Sequence, residues 1–368
     1  MIPRSVTSAE GLSPAQWQGP LFVIGVWRSG TSLLYALLNK HPQIGLMYEG
    51  ELFLLRPAFW MPGSASRWLA RWEFLNGAPK RHRLDPRQIP LLISRLPTAM
   101  EKSYQEYARQ KGALVWGEKS PQLFRYPPSR IIRDFPSARF IFVWRDPIAI
   151  CDSVVRAGNE EKTFFGRRGM TIQALMTCKR LKVEYDNLVS RGAAVHQVQY
   201  ETLVKDPAAV MAGVCKFLDV AFIPSVACLE GADRSAIYEG KHHSMVKSQS
   251  IVSSPHRAEV LPPDLKGKIE RYISLWRQQS EGRWPFFSTS PNGNSGKPSV
   301  RERLWDRVLY QCLWTYDSMV ILSYSFAPFW LLRGIRQART STPYRRQSLL
   351  RIVQCVVRCY LDRHDHAI

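Results

Sequence analysis

The chain has 368 residues, which is enough for one large α/β domain with an extension, and its 45% hydrophobic content and 12 tryptophans exclude an intrinsically disordered protein. A formal net charge of +21 predicts attraction to phosphates, sulfates, nucleic acid or an anionic membrane surface, without choosing among them. The seven cysteines form no CxxC pair, which argues against a zinc site or a disulfide framework and favours a reducing compartment.

The start of the chain shows no basic stretch followed by an apolar one, which is the pattern of a secretory signal. Residues 1–18 are therefore interpreted as a polar leader. The expected location of the protein is the cytoplasm.

Short apolar runs that end in turns predict strands, and longer periodic runs predict helices. Strands are predicted at residues 20–25, 113–116, 138–144 and around 194–198, and helices at residues 31–40 and 171–190. Because strands alternate with helices, the pattern predicts an α/β fold with three layers, in which helices cover both faces of a central parallel sheet. Sites in such sheets lie beyond the carboxyl ends of the strands.

Residues 25–32 (GVWRSGTS) have the spacing of a Walker A loop and lie between a predicted strand and a predicted helix. The N–H groups of such a loop, at a helix N-terminus, favour an anion. The loop spacing between a strand and a helix predicts a P-loop NTPase-like fold. Thr31 stands where nucleoside triphosphatases have a lysine, which argues against ATP or GTP. Arg28 supplies a planar cation instead, so the ligand is expected to be shorter than a triphosphate.

A second motif lies at residues 142–147 (FVWRDP). Asp146 is a suitable N-cap and Pro147 suits the first helical position, so a helix is expected to begin here. Ser153 would then lie about two turns along that helix. Arg145 is expected to contact the same phosphate as Ser153, and an ion pair with a carboxylate is the alternative for Arg145. Asp146 is interpreted as a cap and not as a metal ligand.

These two motifs together resemble those of the sulfotransferases that depend on 3′-phosphoadenosine 5′-phosphosulfate (PAPS), including the bacterial ones. GVWRSGTS is similar to their 5′-phosphosulfate loop, and Arg145-Asp146-Pro147 followed by Ser153 is similar to their 3′-phosphate element. The resemblance covers about residues 19–285. It implies transfer of a sulfuryl group from PAPS, without a metal, to a hydroxyl or amine of a glycan, a lipid or a small molecule. The residues that it assigns to the donor are Arg28, Ser29, Gly30, Thr31, Ser32, Arg145, Ser153 and Tyr200. Arg28 is also expected to be catalytic, together with Glu49 and Lys119.

The acceptor requires a general base close to the loop, and His41, Glu49 and Glu51 are the candidates after the first helix. Glu49 resembles the catalytic glutamate of the sulfotransferases that modify tyrosine residues, which also follows a His-Pro pair. Glu51 is the competing assignment. His41 is interpreted as a helix-end residue.

Two further segments resemble family motifs. Residues 117–121 (GEKSP) follow a predicted strand, and the resemblance implies that Lys119 neutralises the bridging oxygen; a surface lysine in a turn is the alternative. Tyr200 would contact the donor, unless it is simply an aromatic residue at a strand end. A loop after residue 241 would cover the nucleotide, and its unranked candidates are Lys247, Ser250, Ser253 and Arg257.

Residues 288–300 have the composition of a flexible linker, which would separate a catalytic domain at residues 19–287 from a basic, apolar helical tail at residues 301–368. Residues 308–332 are long enough to span a bilayer, but polar residues dilute them and arginines flank them. This pattern favours attachment to an anionic membrane surface, at its inner face. The alternative is a helix packed on the catalytic domain.

Two other functions remain open from the sequence. A P-loop kinase or NTPase shares the loop spacing but needs the lysine that Thr31 replaces. A catalytically silent binding protein of the same fold could be held at a membrane by the tail. No nucleic-acid recognition module is readable, so the basic charge is not assigned to specific nucleic-acid binding.

Overall fold

The computed structural model describes residues 18–51, 72–73, 77–84, 96–121, 127–161, 169–237, 246, 251, 260–279, 298–326 and 331. The predicted leader before Gln18 and nearly all of the predicted linker lie outside these ranges. The four loop candidates Lys247, Ser250, Ser253 and Arg257 also lie outside them.

A parallel sheet forms the middle layer of the described residues. Its strands are β1 (Gln18–Gly25), β2 (Ile44–Tyr48), β3 (Val115–Lys119), β4 (Arg139–Trp144) and β5 (Ala194–Gln199). Their order across the sheet is β2-β3-β1-β4-β5, and all neighbouring strands are parallel. The carboxyl ends of all these strands therefore lie at the same edge of the sheet.

Helices cover both faces of the sheet. They are α1 (Thr31–Leu38), α2 (Ala78–Arg81), α3 (Leu96–Gln110), α4 (Pro128–Asp134), α5 (Pro147–Glu161), α6 (Met170–Ser190), α7 (Tyr200–Lys205), α8 (Pro207–Leu218), α9 (Pro263–Gln279) and α10 (Val300–Phe326). A short 3₁₀ helix, Pro224–Ala227, follows α8.

Two apolar cores enclose the sheet, because successive side chains of a strand point to opposite faces. Phe22 and Ile24 face one core, which α3, α5 and α6 complete. Leu21 and Val23 face the other core, together with α1 and α8. All four of these side chains of β1 are fully buried. Burial on both faces explains why β1 is apolar along its length. The predicted three-layer α/β fold is confirmed.

The edge strand β2 was not predicted from the sequence. It has only five residues, and Gly45 interrupts its apolar character. A Cβ at Gly45 would lie 2.8 Å from Cα of Ala108, so the glycine allows α3 to pack directly on the strand. Glycine is required at this position of β2 because of tertiary packing, which the local sequence does not reveal.

The strand β3 extends further than the sequence predicted. Residues 117–119 belong to the strand, although they were expected to follow it. Gly117 has a φ of 149°, and a Cβ there would overlap the backbone of Leu21 in β1. Only glycine permits this approach of two strands. Lys119 consequently lies at the buried carboxyl end of a strand and not in a surface turn.

The tail helix α10 packs on α6 and α9. The buried carboxylate of Asp306 accepts hydrogen bonds from Lys268 Nζ at 2.6 Å and Tyr272 Oη at 2.9 Å. An ion pair of 2.8 Å joins Arg271 and Glu302. Among the described residues, no helix combines the length and the apolar character needed to cross a membrane.

Candidate active site

Every strand of the sheet ends next to a residue that the sequence singled out. The phosphate loop follows Gly25 at the end of β1, and Glu49 follows Tyr48 at the end of β2. Lys119 is the last residue of β3 and pairs in register with Tyr48. Arg145 and Tyr200 follow β4 and β5. The parallel sheet therefore brings residues from five separate parts of the sequence to one edge.

The phosphate loop turns directly into α1. Gly30 is the N-cap of α1 with a φ of 98°, and a Cβ at this position would collide with the ring of Tyr200. Arg28 also has a positive φ, 70°. Such a backbone is uncommon for an arginine and is typical of functional sites. Thr31 begins α1, and Ser32 Oγ lies 2.8 Å from the hydroxyl of Tyr48.

The two arginines of the predicted motifs meet. Arg28 Nε donates to Ser153 Oγ at 2.8 Å, and Arg145 Nη1 donates to the backbone oxygen of Arg28 at 2.8 Å. The guanidinium of Arg145 lies 4.4 Å from the centre of the Tyr200 ring, a cation–π arrangement. Within this cluster Arg28, and not Arg145, is the residue that contacts Ser153. The cluster joins the phosphate loop to the amino-terminal half of α5.

The start of α5 follows the expected capping pattern. Asp146 Oδ1 accepts from the N–H groups of Ile148 and Ala149, at 2.7 and 3.2 Å. Pro147 is the first residue of the helix. The interpretation of Asp146 as a cap is confirmed. Its backbone N–H donates to Glu201 at 3.1 Å, which ties the starts of α5 and α7 together.

Two buried polar atoms of the arginine cluster lack a hydrogen-bond partner among the described residues, namely Ser29 Oγ and Arg145 Nε. The N-terminus of α1 also has no side-chain cap. Buried polar atoms without partners are costly, and an anion at a helix N-terminus supplies acceptors for such donors. The residues present therefore fit a phosphate or sulfate group at this position.

Glu49 and Lys119 form an ion pair on the other side of the loop. Lys119 Nζ donates to Glu49 Oε1 at 2.5 Å, and the lysine side chain is only 2% exposed. The same ammonium lies 4.3 Å from the centre of the Tyr48 ring. Since the hydroxyl of Tyr48 reaches Ser32, Tyr48 links the ion pair to the phosphate loop.

The backbone that carries Glu49 is held from several directions. Glu49 and Glu51 both have a positive φ, of 48° and 54°. Arg81 Nη2 donates to the backbone oxygens of Tyr48 and Glu49, at 3.0 and 3.1 Å. Trp72 Nε1 donates to the backbone oxygen of Gly50 at 2.8 Å. The tight turn that presents Glu49 is thus fixed by side chains distant in the sequence.

Sequence reasoning missed Glu118, which is fully buried beside this turn. Its Oε2 accepts a hydrogen bond of 2.8 Å from the backbone N–H of Glu51. Burial raises the pKa of the Glu118 carboxyl to about 7. A charged residue inside a strand between a glycine and a lysine was the signal available from the sequence, but it was interpreted only as part of the GEKSP motif.

His41 lies far from the loop, as expected for a helix-end residue. The helix α1 has 8 residues, a length of about 12 Å, and His41 follows its far end. Its Nδ1 accepts from the N–H of Gln43 at 3.1 Å, and its Nε2 lies 2.8 Å from the backbone oxygen of Ala221. Both ring nitrogens of His41 are therefore engaged by backbone.

The described residues contain no group of three or more histidines, cysteines, aspartates and glutamates arranged to hold a metal ion. The site consists instead of cations, hydroxyl groups and carboxylates that contact one another directly.

The model of the sulfotransferase family matches residues 20–224, which include every residue of the site described above. No curated protein matches the chain in sequence.

Solved structures similar to the chain include three bacterial-type proteins. The sulfotransferase domain from the curacin biosynthetic pathway is 20% identical and covers 70% of this chain and 97% of its own, with a TM-score of 0.44. The sulfotransferase domain from the Synechococcus PCC 7002 olefin synthase is 18% identical. The match covers 70% of this chain and 98% of that domain, with a TM-score of 0.44. A sulfotransferase from Alicyclobacillus acidocaldarius is 17% identical, with 71% and 94% covered and a TM-score of 0.41.

Proposed function

This chain belongs to the sulfotransferase family, and we propose that it transfers a sulfuryl group from PAPS to a hydroxyl or amine acceptor. The observation that supports this most is the joint placement of two features at one edge of the sheet. One is a phosphate loop with two arginines, and the other is the Glu49–Lys119 ion pair. A donor with two separate phosphate positions would use the first, and proton and charge transfer would use the second.

The donor site is built from the loop and the arginine cluster. The N–H groups at the start of α1, with Ser29, Thr31 and Ser32, would bind the 5′-phosphosulfate. Arg28, Arg145 and Ser153 would bind the 3′-phosphate, because two guanidinium groups and a hydroxyl converge there.

Tyr200 supports the same donor site from the end of β5. Its ring packs on Gly30 of the loop and on the guanidinium of Arg145. It would thereby hold the two phosphate positions at a fixed separation.

Glu49 and Lys119 would carry the chemistry. When bound, PAPS supplies a sulfuryl group whose bond to the phosphate oxygen breaks as a bond to the acceptor forms. Glu49 accepts the proton of the acceptor, and Lys119 neutralises the negative charge on the bridging oxygen that is released. The ion pair of these two residues keeps both side chains at the carboxyl edge before the reaction.

The geometry favours this function over a P-loop kinase or NTPase. Thr31 occupies the lysine position of a Walker A loop. Ser32, whose hydroxyl would bind magnesium in an NTPase, lies within hydrogen-bond distance of Tyr48. Both features suit a ligand that requires neither a loop lysine nor a magnesium ion.

Calorimetric titration with adenosine 3′,5′-bisphosphate, the product left by PAPS, tests the donor assignment. We expect binding without magnesium, and Arg145→Gln is expected to weaken it by roughly 10- to 100-fold, since a charge-assisted hydrogen bond contributes about 1.5–3 kcal/mol. The same variant should change the affinity for AMP much less, because AMP lacks the 3′-phosphate.

Arg139→Gln is the matched control, since Arg139 lies at the opposite end of β4 and donates to the backbone oxygen of Leu218. It should bind both nucleotides as the wild-type protein does. Binding of ATP with magnesium but not of adenosine 3′,5′-bisphosphate would contradict the proposal and favour the kinase or NTPase alternative.

We also propose that the outer face of α10 binds an anionic membrane surface and holds the enzyme at the cytoplasmic face of that membrane. Trp305 is 73% exposed and Leu304 is 60% exposed, although their neighbour Asp306 is buried against α9. Further exposed apolar residues on this helix are Val300, Val308 and Met319. The apolar face is therefore turned away from the rest of the protein.

Cations surround this apolar face. Arg301, Arg303 and Arg307 are exposed on α10. Burial lowers the pKa of Lys179 on α6, and the charges of Arg307 and Arg303 on α10 contribute to the same direction. An apolar helix face bordered by cations complements a bilayer with anionic lipids.

Flotation with vesicles tests the membrane proposal. The full chain should bind phosphatidylglycerol vesicles, should bind phosphatidylcholine vesicles weakly, and should be released as salt increases. The double variant Leu304→Ser, Trp305→Ser should bind anionic vesicles at least about tenfold more weakly, because it removes apolar surface from the contact. The pair Val183→Ser, Val189→Ser, on exposed positions of α6, is the control. Equal losses in both pairs, or no binding of the full chain, would contradict the proposal.

A further inference from the structure

Two adjacent residues of β3 hold the turn at residues 49–51 from opposite faces of the sheet. Lys119 points to the face of Tyr48, where its Nζ contacts Glu49 Oε1. Glu118 points to the other face, where its Oε2 accepts from the N–H of Glu51. The backbone oxygen of Lys119 also accepts from the N–H of Glu49 at 2.8 Å. The end of β3 therefore contacts the turn at both Glu49 and Glu51.

The backbone conformation of the turn requires stabilising contacts. Positive φ values at Glu49 and Glu51 are unfavourable for residues with a Cβ, and they persist only where surrounding contacts impose them. Gly50 lies between them, and a Cβ there would come within 3.1 Å of Glu118 Oε2. The carboxylate of Glu118 thus packs directly beneath the turn.

Glu118 is fully buried and its Oε2 accepts from the backbone of the turn, so we place it behind the turn and not among the groups that contact the acceptor or the donor. The pKa of Glu118 is raised to about 7, chiefly by burial and also by the nearby charge of Glu49, against the lowering effects of the Glu51 N–H, the neighbouring Tyr104 hydroxyl and the charge of Lys119. Burying a carboxyl group costs free energy because the group loses its contacts with water. Here Glu118 gains a hydrogen bond to the backbone of the turn.

We infer that Glu118 is a positioning residue: by accepting the N–H of Glu51 it fixes the turn at residues 49–51 and thereby holds the Glu49 carboxylate at Lys119. The inference rests on the proposed function, in which Glu49 is the base. It adds a residue that acts on the reaction only through Glu49. Loss of the acceptor at position 118 would release the turn without altering the donor site.

The test compares Glu118→Leu with Glu118→Gln. Glutamine keeps an oxygen that can accept from Glu51, so its kcat should stay within about threefold of the wild type, whereas leucine should lower kcat about 100-fold, the order of loss caused by misplacing a catalytic group by 1 Å. Both variants should bind adenosine 3′,5′-bisphosphate normally. In a Glu49→Gln background, Glu118→Leu should lower kcat no further, because both substitutions remove the same contribution.

Hydrogen exchange of the peptide containing residues 48–51 provides a second readout that does not depend on activity. Exchange should accelerate in Glu118→Leu but not in Glu118→Gln. Thr177→Val is the matched control, because Thr177 is a buried polar residue of α6, which packs near the opposite edge of the sheet. It should leave both the exchange of this peptide and kcat unchanged.

The outcomes separate the two proposals. If no sulfuryl transfer is detected with any variant, the proposed function fails, and the exchange of the peptide alone decides whether Glu118 fixes the turn. Unchanged exchange in Glu118→Leu, or an equal loss of kcat in Glu118→Gln, overturns the positioning role. If Glu118→Leu does not fold, Glu118→Asp carries the same test, because it keeps the charge and withdraws the acceptor by one methylene group.

Discussion

Replacing Glu49 by glutamine is expected to lower kcat by about 10²- to 10⁴-fold, the contribution typical of a general base. Glutamine has nearly the same shape and can still accept the hydrogen bond from Lys119, so the fold and the turn should be preserved. It cannot take up a proton from the acceptor. Steady-state kinetics with PAPS and an accepted substrate would measure the loss, and titration with adenosine 3′,5′-bisphosphate should show unchanged binding.

Glu51→Gln is the matched control for this assignment. Glu51 lies two residues further along the same turn, and its contact to Glu118 uses the backbone N–H, which the substitution leaves in place. We expect a loss of less than about tenfold, well below the contribution of a general base. A larger loss in Glu51→Gln than in Glu49→Gln would transfer the role of the base to Glu51.

Lys119→Met is expected to give the second large loss, about 10²- to 10³-fold in kcat, as for removal of a group that stabilises developing negative charge. Methionine retains the apolar stem that fills the space above Tyr48, while the ammonium is removed. The charge on the bridging oxygen would then have no cation from β3. The loss should appear in kcat, with a smaller effect on the KM for PAPS.

Lys182→Met controls for the loss of a buried lysine as such. Lys182 is also largely buried, and it pairs with Asp186 at 2.6 Å on α6, away from the carboxyl edge of the sheet. This variant should lower the melting temperature but leave kcat unchanged. If Lys119→Met changed only the KM, or if both variants lost the same activity, the role of Lys119 at the bridging oxygen would be wrong.

Local patterns in the sequence were sufficient for the three-layer fold class, although not for the edge strand β2. An apolar run before a glycine-rich turn predicted β1 and the loop, because a strand buried on both faces has few alternatives. The Asp146-Pro147 pair predicted the start of α5, since capping depends on adjacent residues. Parallel strands then required the carboxyl ends to meet, which is why Arg145 could be expected beside the phosphate loop. Glu49 and Lys119 were expected there because of the resemblance to the family motifs.

The sequence could not reveal features that depend on contacts between distant segments. Gly117 was interpreted as following a strand, although its lack of a Cβ is what allows β3 to lie beside Leu21. Glu118 was part of a recognised motif, but its role depends on Glu51, which is 67 residues away in the chain. The direct contact of Arg28 with Ser153 spans 125 residues and likewise follows only from the fold.

The central claim is that this chain transfers sulfuryl groups from PAPS, and transfer of label from radioactive PAPS tests it most directly. The full chain would be incubated with PAPS labelled in the sulfuryl group and with a cell extract, in parallel with Glu49→Gln and Lys119→Met, and the labelled products would be separated and identified. We predict a labelled product that forms with the wild-type chain and falls by at least about 100-fold with either variant. Binding of adenosine 3′,5′-bisphosphate without any labelled product would contradict the claim and indicate a catalytically silent binding protein.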